Sequence, residues 1–105
     1  MTELYEIERQ TDVSVLRLVS PDGTNRLTRE RVLALADCLR DLASDPRPFV
    51  LTGNLKFFSA GADLKEIAAL TGPAAYEFSL MGQQLMDFIE QFPAPVCAAI
   101  HGYCM

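Results

Sequence analysis

Two short apolar runs constrain this chain more than any other feature. Phe49, Val50, Leu51 and Thr52 form the first, and Val96, Cys97, Ala98, Ala99 and Ile100 form the second. Each follows a stretch of helical periodicity closed by prolines, Pro46 and Pro48 in one case, Pro93 and Pro95 in the other. Proline moves the residue before it out of the helical region, so both runs begin as extended chain. An extended run with almost no polar residue reads as a strand covered on both faces, the pattern of a parallel sheet with helical crossovers. Strand, helix and strand in this order predict an α/β fold.

The neighbouring segments agree. Two strands are expected between Tyr5 and Leu18, where Val13 to Val19 is β-branched and partly alternating and Gln10, Thr11 and Asp12 make a turn. Ser20, Pro21, Asp22 and Gly23 form a second turn. Thr28 caps a helix whose apolar positions are Val32, Leu35, Ala36, Leu39, Leu42 and Ala43, with Arg29, Glu30, Asp37, Arg40 and Asp41 on the remaining face. Gly53 to Gly61 is expected as a loop, with a short helix after Asp63. Thr71, Gly72 and Pro73 open a longer helix, with proline at the first position and an apolar stripe of Phe78, Met81, Leu85, Phe88, Ile89 and Phe92. The stripe reads as core or subunit interface. The sequence stops at Met105 in apolar residues just after a buried strand, so the expectation is the N-terminal part of a longer fold.

A chain of 105 residues and 11.6 kDa has room for one small domain, and its 50% apolar and 22% charged composition is globular. A net charge of −5 excludes a basic nucleic-acid footprint. No apolar run reaches the roughly 18 residues of a membrane span, and Met1 to Glu6 has neither the basic nor the apolar region of an export signal. A cytoplasmic protein is expected. Cys38, Cys97 and Cys104 are odd in number and unpaired in spacing, and His101 is the only histidine, so no metal site is expected and the thiols read as reduced. All nine Lys and Arg residues lie within residues 1–65, so any positive contact to an anion comes from that part.

The stretch that could carry chemistry runs from Val50 to Glu66. A buried strand feeds a loop of small residues, Ser59, Ala60, Gly61 and Ala62, which lets a ligand approach the backbone, and the loop feeds a helix start whose amides suit an oxyanion. Asp63 and Glu66 could pair as acid and base, but the spacing fits a capping box, with Asp63 accepting from the backbone and Glu66 reaching back. Lys56 and Lys65 bracket the loop, as solvated surface charges or as ligand contacts. His101, just past a buried strand, reads as structural rather than as a base.

Leu51-Thr-Gly, then Phe58-Ser-Ala-Gly-Ala-Asp-Leu-Lys-Glu66, then Pro95-Val-Cys-Ala-Ala-Ile-His-Gly-Tyr103 resemble the enoyl-CoA hydratase/isomerase (crotonase) superfamily in order and separation, with weaker agreement across most of the chain, including Asn25-Arg-Leu27. The resemblance implies an incomplete crotonase-like fold over residues 1–105, ββα units in a right-handed superhelix, cut before the glycine-rich second oxyanion motif. It implies an acyl-CoA thioester as ligand, no cofactor beyond the coenzyme A that the substrate carries, and a homo-oligomer, trimer or hexamer. By position, the Ala62 backbone N–H corresponds to the first oxyanion donor. Asp63, Leu64 and Lys65 correspond to the adjoining CoA-binding segment, Ala60 to a residue lining the adenine pocket, and Lys56 and Lys65 fall near the nucleotide. Where many members carry a basic residue near the CoA phosphates this chain has Thr24, with Arg26 displaced to the other side of Asn25. The second donor and the acid/base glutamates correspond to positions past Met105. The implied activity is hydration of 2-trans-enoyl-CoA (a lyase reaction of fatty-acid β-oxidation). The alternatives are another reaction of the family (isomerase, dehydratase, decarboxylase, ring-forming synthase) or a non-catalytic truncated piece.

Overall fold

The computed structural model describes residues 4–105. Met1, Thr2 and Glu3, which begin the stretch read above for an export signal, lie outside the described residues. Strands β1 (Tyr5–Arg9) and β2 (Ser14–Leu18) form an antiparallel hairpin, closed where the Gln10 amide donates to the Val13 carbonyl at 2.9 Å. Helix α1 (Arg29–Ala43) returns the chain to β3 (Phe49–Thr52), parallel to β2 with Leu16 opposite Leu51. Next come β4 (Phe57–Ser59), the short α2 (Leu64–Ala68) and the long α3 (Gly72–Glu90). The chain then enters β5 (Val96–Ala99), parallel to β3, and β6 (Tyr103–Cys104), parallel to β4.

This order makes a spiral. One sheet runs β1-β2-β3-β5 and a second pairs β4 with β6, so successive turns of chain visit the first sheet and then the second. The turn before α1 occupies the matching place in the first coil: the Ala60 amide donates to the Thr24 carbonyl at 2.8 Å, and Leu27 pairs in parallel with Ala62. The strands start where the prolines predict, since Ser14 donates to the Pro48 carbonyl and Phe49 to that of Pro95.

The core lies between the first sheet and the helices. Leu16 and Leu18 project from β2 onto Val32, Leu35, Leu39 and Leu42 of α1, and Phe49 packs edge-on against Phe92 with ring centroids 4.9 Å apart. Leu85 is the one buried residue of α3. Thr28 caps α1 as expected, its hydroxyl accepting the Arg31 amide at 3.1 Å.

Four expectations need correction. Gly53 to Gly61 is not all loop, because Phe57–Ser59 finds a partner strand in Tyr103–Cys104, far along the chain, which no local pattern announces. The partnership needs Gly102 in a left-handed conformation (φ +67°), where a Cβ would collide with the Lys56 carbonyl. The run from Val96 is a strand, but Cys97 and Ala98 are exposed because β5 is the edge of its sheet. His101 is likewise exposed rather than buried structurally. Pro73 also sits one residue deeper than expected, since α3 begins at Gly72.

Candidate active site around Ala62

Five of the seven backbone amides from Ala60 to Glu66 are bonded within the protein, those of Ala62 and Leu64 being the exceptions. The Ala60 amide goes to Thr24, and Asp63 donates to the Leu27 carbonyl at 3.4 Å. The Gly61 amide donates to the Ser59 hydroxyl at 3.0 Å, and the Gly61 carbonyl accepts from Leu27 at 2.8 Å. Asp63 caps α2, its Oδ1 accepting the Lys65 and Glu66 amides at 3.0 and 3.1 Å. Among the described residues, the Ala62 amide has no protein acceptor. A parallel bridge explains why: Leu27 bonds to the residues on either side of Ala62, so the N–H of Ala62 itself points away from Leu27. Gly61 permits this turn with φ +84°, and a side chain there would press on Met105.

Two clefts meet at Leu27 and Ala62. One, of about 750 Å³, is lined by Arg26, Ala60, Gly61, Asp63, Leu64, Lys65 and Met105 as well as that pair. The other, of about 560 Å³, lies against α3 and is largely apolar, with Val32, Phe78, Gly82 and Met86 among its walls. The structure therefore brings Ala60, Ala62, Asp63, Leu64, Lys65 and Arg26 to one cleft. Lys56 does not line it. It precedes β4, at the far end of that strand from Ala62, and its carbonyl accepts the Tyr103 amide at 2.9 Å. Arg26 is partly engaged, its Nη1 lying 3.1 Å from Asp22 and 2.8 Å from the Thr24 hydroxyl. Those same Thr24 groups, the backbone amide and the hydroxyl, both donate to Asp22 and hold its carboxyl below the ordinary value.

The capping box is half formed. Asp63 caps as expected, but Glu66 does not reach back to it. The Glu66 Oε1 instead accepts the Arg29 amide at 2.6 Å, because the Asp63 amide is already bonded to Leu27 while the first amide of α1 is unpaired by the helix. No close group of three metal-ligating side chains occurs among the described residues.

Sequence reasoning missed the buried polar hub behind this site. Asn25 is fully buried at φ 53°; its Nδ2 donates to the carbonyls of Phe57 and Phe58, and its Oδ1 accepts from Ser20. Arg31, on the helix face counted neither as apolar nor as charged, is buried too, its guanidinium donating to the carbonyls of Arg26 and Leu4. Burial pushes its pKa down. The apolar cleft was missed as well: Phe78, Gly82 and Met86 recur every four residues on one face of α3, and of these only Phe78 belongs to the stripe read from the sequence.

Comparison with known proteins decides the family. The family model described as enoyl-CoA hydratase/isomerase matches residues 8–105. The chain belongs to the enoyl-CoA hydratase/isomerase family. It is 42% identical over 95 residues to a probable enoyl-CoA hydratase of Bacillus subtilis, covering 86% of this chain and 36% of the relative. It is 35% identical over 107 residues to the 2,3-dehydroadipyl-CoA hydratase of Escherichia coli, covering all of this chain and 41% of that protein. The crystal structure of enoyl-CoA hydratase from Thermoplasma volcanium superposes with a TM-score of 0.88 at 36% identity, over 97% of this chain and 42% of that one. The crotonase fold implied by the sequence is thus present in part, and the chain spans about two fifths of the length of these hydratase/isomerase relatives. Among the described residues no helix is long and apolar enough to cross a membrane.

Proposed function

We propose that this chain furnishes the acyl-CoA cradle and one oxyanion donor of an enoyl-CoA hydratase, an enzyme that adds water to 2-trans-enoyl-CoA thioesters. The observation that carries this reading is the Ala62 amide, without a protein acceptor at the junction of two clefts. When water adds to the β-carbon of an enoyl thioester, the double-bond electrons shift toward the carbonyl and its oxygen becomes an enolate oxyanion. Protonation of the α-carbon then discharges it. A fixed backbone N–H stabilises that charge without reorganising, an effect of roughly 2.7–4 kcal/mol for oxyanion donors of this kind. The donor here is the single amide of Ala62; a five-residue helix adds little dipole of its own.

The two clefts divide the ligand by chemistry. The apolar one along α3 accepts the acyl chain, and the one flanked by Arg26 and Lys65 accepts the phosphate-bearing nucleotide, with Ala60 against the adenine. Lys56 lies off this path and would meet at most the outer end of the nucleotide. No acid or base of the reaction is assigned to a residue of this chain. Relatives named as enoyl-CoA, crotonyl-CoA and 2,3-dehydroadipyl-CoA hydratases favour hydration over the family's other reactions. A role in fatty-acid β-oxidation, a cytoplasmic setting, a homo-oligomer and the lack of any cofactor beyond coenzyme A belong to the same reading.

Calorimetric titration of the chain and of Ala62→Pro with crotonyl-CoA and with free coenzyme A tests it. Proline removes the Ala62 amide hydrogen, which no internal bond uses. The thioester should bind about tenfold more weakly to the variant while free coenzyme A changes by less than about twofold. Equal loss for both ligands, or no loss, defeats the proposal.

A further inference from the structure

Helix α2 is loosely built for an element next to a reactive amide. It has five residues and buries none of them. Among the described residues its side chains make one hydrogen bond to another element, from the Arg29 amide to Glu66 at 2.6 Å. Residues 61–66 therefore lie along residues 27–29 through three bonds: Leu27 to Gly61 at 2.8 Å, Asp63 to Leu27 at 3.4 Å, and Arg29 to Glu66. Ala62 sits between the first two. The middle bond is at the long, weak limit for a backbone hydrogen bond, so the segment downstream of Ala62 is secured chiefly by the third. That third bond joins an anionic acceptor to the first amide of a fifteen-residue helix, where charge assistance and the helix dipole both strengthen it. The Arg29 guanidinium in turn lies 2.9 Å from Glu77 of α3, so the start of α1 braces both elements that flank the two clefts.

We infer that Glu66 is a positioning residue for the Ala62 amide. Its carboxylate holds α2 against the first turn of α1, and this fixes the direction in which the Ala62 N–H points and the course of Asp63, Leu64 and Lys65 along the nucleotide cleft. The inference rests on the reading of Ala62 as the thioester donor, which it deepens.

The test uses the ¹⁵N-labelled chain with Glu66→Ala and Glu66→Gln, glutamine keeping an oxygen acceptor without the charge. Glu66→Ala should move the Ala62 amide resonance and speed hydrogen exchange at Lys65 by about tenfold, with exchange in β2 and β3 unchanged. It should also weaken crotonyl-CoA binding by about tenfold, and Glu66→Gln, which keeps the acceptor but loses the charge assistance, should restore the resonance and return exchange and affinity to within about threefold of the parent. The inference is overturned if Glu66→Ala leaves the Ala62 resonance in place, if exchange rises equally in β2 and β3, or if glutamine restores nothing. If the parent chain binds no crotonyl-CoA, the proposed function fails, and the resonance and exchange still decide the role of Glu66.

Discussion

The Ser59 hydroxyl donates to the Asn25 carbonyl at 2.7 Å, joining the end of β4 to the turn that precedes α1. The same oxygen accepts the Gly61 amide, so one buried hydroxyl fixes both the loop and the turn on which Ala62 is mounted. Asn25 answers with bonds to Phe57, Phe58 and Ser20. A buried network of this kind is stabilising only while every member is paired.

Asn25→Ala should therefore cost about 3 kcal/mol, since it takes the side-chain donor from the Phe58 carbonyl and one of several partners from the Phe57 carbonyl and the Ser20 hydroxyl, and it places alanine at φ 53°. Ser59→Ala should cost about 2 kcal/mol, leaving the Gly61 amide without its acceptor. Urea unfolding measures both, and values under about 0.5 kcal/mol would contradict the network's role.

Leu85 anchors α3. It is 2% exposed while Tyr76 and Met86 on the same helix are 69% and 51% exposed, so α3 adheres to the core through little else that is fully buried. Leu85→Ala should lower stability by about 3 kcal/mol and lift α3 from α1. The melting temperature reports the first effect and hydrogen exchange within Gly72–Glu90 the second.

Asp63→Ala removes the cap of α2 without touching the core. The expected loss is about 1 kcal/mol, confined to that helix, with exchange accelerated at Lys65 and Glu66 only. Acceleration throughout β3 would contradict the local reading.

The three thiols should separate by reactivity. Cys38 is buried and its pKa is pushed up to about 11, chiefly by burial, whereas Cys97 and Cys104 are exposed. Near neutral pH iodoacetamide should label the latter two and spare Cys38. The folded state favours the neutral Cys38 thiol, so that stabilisation is complete below the unfolded value of 9.0 and is lost as pH rises toward 11. Stability measured across that interval should fall, and Cys38→Ser should flatten the fall.

What could be read in the residues themselves was periodicity, proline punctuation and caps. These placed β1, β2, α1, β3 and α3 within a residue or two, because each rests on neighbours in sequence. What escaped was long-range pairing. Nothing near Phe57 foretells Tyr103, and nothing near Glu66 distinguishes a capping box from a bond to Arg29, since both satisfy a carboxylate at a helix start. Asn25 and Arg31 escaped for a related reason: their burial follows from carbonyls that fold around them. The close backbone approach at Ala60, Gly61 and Ala62 was legible from their small side chains before a capped helix, whereas Asp63, Leu64 and Lys65 were pointed to only by the family resemblance. Lys56, judged by nearness in sequence, lies away from that cleft because β4 intervenes.

Hydrogen exchange at the Ala62 amide tests the central claim most directly. In the free chain it should exchange at close to the unprotected rate while Ala60, Gly61 and Asp63 are protected, and saturating crotonyl-CoA should slow it by about tenfold or more. An Ala62 amide already protected without ligand, or one indifferent to the thioester, would contradict the account.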